Sequence, residues 1–318
     1  MLAYRLTLPR TPEDPLESLP LPRTLLAGLS MGASLLFENL FGLIALFLVA
    51  HLLVSQRPAL RGIGAVALFT AGTLIALIPL FIYTWAIFGR LAIPYEYEHD
   101  PFFREAMASG FMGIHFPPRP TILWLITFHP FRGLFVYSPL LLMAIPGLVA
   151  LTRLPRGGWR ALMCGGVFVG YLIVNGGYTH QWWGGWSCGP RHLIPAVPFL
   201  LIAIGAAWGQ WRWIRPVIVT LGVISVALQL LAAGIDPQPP TPVPGGDANA
   251  YLAQARLDLD YPVPLTTWWL PHLRAGVVAW NPGTLIGVSE LWMWGVLVLI
   301  WVGFLMIVWR GSDKVYKT

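Results

Sequence analysis

The stretch Tyr178-Thr-His-Gln-Trp-Trp-Gly-Gly-Trp-Ser-Cys-Gly-Pro-Arg-His-Leu-Ile-Pro-Ala-Val-Pro198 sets three tryptophans, two histidines and an arginine between two long apolar segments. Tryptophan and tyrosine favour the boundary between membrane and water, because each joins an apolar ring to an N–H or O–H that needs a partner. Arg191 and His192 follow where the next apolar run begins. A cation facing hydrocarbon costs several kcal/mol, so this position favours a cavity, a headgroup or an anionic ligand. The stretch outlines a site at the outer edge of a membrane-embedded protein.

The rest of the chain agrees. Of its 318 residues, 56% are hydrophobic and 11% are charged, against about 25% charged in a soluble domain. Mean hydropathy is +0.66, and there are 16 tryptophans. The net charge of +6 does not argue for nucleic acid, because the basic residues form no stripe. They fall in short loops between apolar runs, which is how membrane proteins set their orientation. Cys164 lies in an apolar segment and Cys188 in the aromatic turn, so a disulfide between them is not expected.

A membrane-crossing helix needs about 20 apolar residues. Segments 62–89, 133–152, 161–176, 191–209, 214–234 and 290–309 meet or approach that. The run 24–54 is too long for one ordinary span and carries Glu38-Asn39 near its middle. It reads as two short helices, 24–37 and 39–54, meeting at a polar apex; a single long tilted helix is the alternative. The expected fold is therefore all-α, a polytopic bundle of about eight transmembrane helices with irregular outer loops. Residues 1–23 hold three arginines and five prolines and read as an irregular polar segment on the cytoplasmic side, 24–310 as one transmembrane domain, and 311–318 as a cytoplasmic tail. Arg153, Arg156, Arg160, Arg212 and Arg215 mark the cytoplasmic loops. The outer loops are then 90–132, 177–190 and 235–289. The last opens with a proline-rich run from Asp236 and leaves room for a short helix at 248–257. No internal repeat is visible.

Chemistry concentrates in three places. The first outer loop holds Glu96, Glu98, His99, Asp100, Arg104 and Glu105 within ten positions. Carboxylates beside histidine can act as general bases or bind a divalent cation. A loop charged simply to remain in water is the plainer reading, and the adjacency of Glu98, His99 and Asp100 gives no distinctive metal spacing. His129 and Arg132 precede an apolar segment much as Arg191 and His192 do. Two cationic entrances on one face could pinch a phosphate, for which guanidinium is suited; arginines that merely snorkel to headgroups are the alternative. Tyr137, Ser138 and Pro139 mark a kink inside a span. His51 reads as a packing residue and Trp268, Trp269 and Trp280 as belt aromatics. The sequence holds no P-loop, dinucleotide fingerprint, zinc-protease motif or serine nucleophile elbow.

Four pieces taken together resemble a known group: residues 25–36, Tyr83–Gly89 with the acidic loop after it, Phe131–Leu142, and Trp182–Pro195. They are similar to the C-terminal two-thirds of bacterial GT-C-type membrane glycosyltransferases, the protein O-mannosyltransferases and lipid A aminoarabinose transferases. The likeness spans about 24–210. It implies a protein of the bacterial inner membrane with both termini cytoplasmic, which takes a sugar from a polyprenyl-phosphate carrier at the outer face. The resemblance nominates His180, Trp182, Trp183, Trp186, Arg191 and Arg132 for the carrier phosphate and sugar. His129, His192, Glu98 and Arg104 join them as substrate-binding candidates. No catalytic residue, cofactor or metal is assigned, although a divalent cation would suit the chemistry. Family members carry their acidic base in a first outer loop with no counterpart here. The resemblance therefore makes this the C-terminal portion of such an enzyme, truncated or completed by a separate polypeptide. Non-enzymatic binding or transport of a lipid-linked intermediate, or a structural membrane subunit, are the competing expectations.

Overall fold

A computed structural model describes residues 1–8, 20–55, 59–92, 99–155, 157–185 and 187–279, and beyond these only 287, 295, 296, 298–300, 302 and 303. The described residues are mostly helical (72%), with no strand among them. The expected tail at 311–318 and nearly all of the last expected span, 290–309, lie outside them, as does Trp280.

Within the segment read as irregular, α1 (Leu2–Leu6) is a short helix that buries Ala3 and Tyr4. The run 24–54 divides as its polar centre dictates. Helix α2 (Leu21–Phe37) ends at Glu38, whose backbone is extended, and α3 (Phe41–Ser55) starts afresh. Helix α4 (Ala59–Phe88) runs back along α2. The two approach closely because Gly28 and Gly72 have no side chain: a Cβ on Gly28 would lie 2.0 Å from the Phe69 carbonyl oxygen. Thr73 adds a hydroxyl bond to the Gly28 carbonyl at 3.2 Å. Small residues that let backbones touch are how helices associate in lipid, where burying apolar surface gains little.

After α5 (Pro101–Ala108) and α6 (Pro120–Thr127), the segment 133–152 is broken, not continuous. It forms α7 (Leu134–Tyr137), a 3-10 turn (Pro139–Met143) and α8 (Ala144–Thr152). Pro139 has no N–H to donate and disfavours helix at Ser138, whose φ of −139° and ψ of 63° turn the chain. The freed Leu140 N–H donates to Ser225 Oγ at 3.0 Å, so a neighbouring helix satisfies the break as lipid requires. Helices α9 (Gly157–Gly177), α10 (Val197–Gln210, entered by a 3-10 turn at Arg191–Ala196) and α11 (Arg215–Ile235) complete the bundle. Helix α8 packs on α9 and α10, Gly147 meeting the Ala203 backbone.

Among the described residues, four helices, Leu60–Phe88, Gly157–Gly177, Arg191–Gln210 and Arg212–Ile235, are long and apolar enough to cross a membrane. That is fewer than the eight expected. Leu21–Phe37, Phe41–Ser55 and Pro139–Thr152 are apolar but shorter, each stopped by a polar apex or a proline. Much of α4 and α11 presents apolar side chains outward, including Ile63, Ile82, Val219 and Val223. So much exposed aliphatic surface suits hydrocarbon as the solvent and would aggregate in water.

The hairpins sort the loops into two ends. The turns after α8 and α10 carry Arg153, Arg212 and Arg215, with the Arg153 guanidinium 5.2 Å from the Trp211 ring and that of Arg215 5.3 Å from Trp208. The opposite end holds the tryptophan-rich turn and the chain after α11. There α12 (Ala248–Ala253), a π-turn (Leu265–Trp269) and α13 (Leu270–Arg274) form a cap.

Candidate functional site

The 128–133 loop at the tryptophan-rich end is held by backbone and side-chain bonds. Helix α6 buries Ile122, Leu125 and Ile126 and stops at Phe128. His129 then closes the turn twice: its Nδ1 accepts the Phe131 N–H at 3.1 Å and its carbonyl accepts the Gly133 N–H at 2.7 Å. A Cβ on Gly133 would lie 2.7 Å from the His129 oxygen, so no larger residue fits. Phe131 stacks on Tyr261, with centroids 5.5 Å apart, and meets the edge of Trp182. The Tyr137 hydroxyl donates to the Pro130 carbonyl.

This scaffold fixes Arg132, which is only 1% exposed. Its Cζ lies 4.8 Å from the Phe131 ring. Its Nε and Nη1 have no hydrogen-bond partner among the described residues. Burial pushes the guanidinium down to about 10, with the Cys188 thiol and Tyr137 phenol opposing that shift, so it carries its proton at neutral pH. Burial also raises the Cys188 thiol, and Arg132 draws it back. Gln229 on α11 ties the surroundings together. It accepts from Cys188 Sγ at 3.6 Å and donates to the Tyr137 carbonyl and Ser138 Oγ, each at 3.3 Å. A buried cation with open N–H groups costs several kcal/mol. An anion entering this site would relieve the cost through short, charge-assisted bonds.

The other candidates are distributed differently. Trp182 is fully buried and donates Nε1–H to the Leu252 carbonyl at 2.7 Å, joining the turn to the cap. Trp183 is 4% exposed and packs edge-on to it. Expected as a sugar-stacking face, these two rings are instead core, because their neighbours already cover them. His192 is buried as well; its Nδ1 bonds Asn175 Oδ1 at 3.0 Å, and Asn175 Nδ2 reaches the Trp182 carbonyl at 3.4 Å. Arg191 is exposed and folds over Gly184 and Gly185. A side chain at Gly184 would meet Arg191 Cγ at 3.0 Å, and the positive φ there also favours glycine. Of the two arginines expected to pinch a phosphate, Arg132 lies buried and Arg191 is exposed.

His180 lies on a separate rim. Its ring is 6.4 Å from His115 and 6.3 Å from Phe102. Burial lowers its proton affinity, and the charges of His115 and Arg119 lower it further. Arg104 is exposed on α5, and Asp100 caps that helix by accepting the Phe102 N–H at 2.9 Å. Glu98 and Trp186 lie outside the described residues. Trp269, expected in a lipid-facing belt, is fully buried and donates to the Asp236 carbonyl at 2.9 Å. Among the described residues no group of three His, Cys, Asp or Glu is placed to hold a metal ion.

Gln229 and Asn175 were not singled out by sequence reasoning. The signal was present: each is an isolated amide in an apolar helix, and polar groups at that depth tend to carry function or hold a network. Comparison with known protein families, characterised proteins and solved structures returns no match.

Proposed function

We propose that the tryptophan-rich end binds the phosphate of a polyprenyl-phosphate-linked sugar, and that the chain serves a membrane glycosyltransferase of the GT-C type. One observation carries this reading: the buried Arg132 guanidinium has Nε and Nη1 unpartnered among the described residues. A prenyl tail would lie against the apolar outer surface of the bundle. The carrier's phosphate would accept from Arg132, and the sugar would sit toward the cap. His129 and Gln229 act as positioning residues, because they hold the loop and the walls around the guanidinium.

A second reading is favoured by the same surroundings. Among the described residues no Asp or Glu pairs with Arg132. An anion bound there would have no carboxylate base beside it among the described residues, which suits binding or handing on a lipid-linked intermediate.

The test uses membranes carrying the chain and a labelled sugar on polyprenyl phosphate. Arg132→Gln lowers carrier binding roughly tenfold or more, because a charge-assisted bond is lost; Arg132→Lys retains part of it. Sugar transfer that falls in parallel supports the glycosyltransferase reading. Binding by the wild type with no transfer supports the second reading. Binding unchanged in Arg132→Gln overturns both.

A further inference from the structure

At the opposite end of the bundle, α1 roofs a cavity of about 330 Å³ lined by Tyr4, Arg5, Leu8, Leu151, Arg160 and Ile202. That is large enough for a small ligand or a headgroup. Its floor is aliphatic. Its side-chain charges are two guanidiniums from different elements, Arg5 on α1 and Arg160 on α9, and Met1 with its amino group also lines it. A third, Arg23 on α2, donates to the Leu8 carbonyl at 3.0 Å, so positive charge also backs the wall. Among the described residues no carboxylate pairs with any of the three; the ion pair recorded there is Arg256–Asp258 at the other end. The cavity also lies at the end that gathers Arg153, Arg212 and Arg215, where anionic lipid would meet a basic surface.

We propose that this cavity is a binding site for an anionic phospholipid. The headgroup phosphate engages Arg5 and Arg160, and the first methylenes of an acyl chain lie on Leu8, Leu151 and Ile202. Two features separate it from general attraction of lipid to a basic surface. Both arginines line one half-open cavity, and that cavity has an apolar side. The site is independent of Arg132, so either can fail without the other.

The experiment places the full chain in nanodiscs of phosphatidylcholine with a minor fraction of phosphatidylglycerol and measures bound lipid by native mass spectrometry. The wild type retains phosphatidylglycerol preferentially. Arg160→Gln lowers that preference about fivefold, as one headgroup contact is worth near a membrane surface. Arg5→Gln with Arg160→Gln brings it level with phosphatidylcholine. Arg160→Lys keeps most of it, which separates charge from packing, and Arg5→Gln alone tests the site should Arg160 variants fail to fold. Arg274→Gln, exposed on α13, leaves the preference intact. An unchanged preference in both Arg5→Gln and Arg160→Gln overturns the proposal. So does displacement of phosphatidylglycerol by millimolar inorganic phosphate, which would make the cavity a site for the free anion.

Discussion

Arg132 shows how a single side chain can oppose stability while serving a site. Its guanidinium is buried, charged and short of partners, so the ligand-free fold holds it at a cost. Arg132→Met keeps the stem and removes the charge. It should stabilise the ligand-free protein by about 1–3 kcal/mol while abolishing anion binding, since replacing buried charge with apolar volume is often stabilising. Thermal denaturation in detergent, with and without polyprenyl phosphate, checks both signs together. His180 allows a pH test. Its proton affinity is lowered by burial first and then by His115 and Arg119, so the folded chain binds that proton more weakly than the unfolded chain does. Stability is therefore complete above the ordinary imidazole value of 6.5 and is lost as pH falls below it. His180→Asn should flatten that part of a stability profile measured between about pH 5 and 8, and Arg119→Gln should raise the His180 titration followed by NMR.

At the level of elements, glycine and proline decide where helices touch and where they stop. Gly28-Leu-Ser-Met-Gly32 on α2 is a small-residue stripe that meets α4 at Gly72 and Thr73. Gly28→Ala should cost about 1–3 kcal/mol by forcing backbones apart, read as a lower midpoint in chemical denaturation, whereas Gly64→Ala, which would meet nothing within 4 Å, should be neutral. The stripe was visible in the sequence as two glycines four apart in an apolar run, and its meaning depended only on finding α4 opposite. The break at Glu38-Asn39 and the kink at Ser138-Pro139 were equally legible, because a polar apex and a missing N–H act locally. What could not be read was the fate of the tryptophans. Trp182 and Trp269 are as apolar as belt residues in composition, and only the cap after α11 turns them into core by supplying the Leu252 and Asp236 carbonyls to their N–H groups. The burial of Arg132 was hidden for the same reason, since Cys188, which faces its guanidinium, comes from a segment distant in the chain.

Across the whole molecule, two ends with different chemistry follow from the hairpin order. One gathers arginines against tryptophan rings in short turns, and the other carries a folded cap over a buried cation. In the orientation expected from the arginine distribution these turns face the cytoplasm, and reporter fusions after Arg153 and within 236–248 should report opposite sides. The most direct measurement concerns Arg132 itself. With Nε-labelled arginine in nanodiscs, and Arg132→Lys to assign the resonance, addition of polyprenyl phosphate should shift the Arg132 Nε–H signal and slow its exchange with water, while uncharged polyprenol leaves it in place. A signal that ignores the phosphate carrier, or answers equally to the uncharged alcohol, would contradict the assignment of this buried guanidinium as the anion's partner.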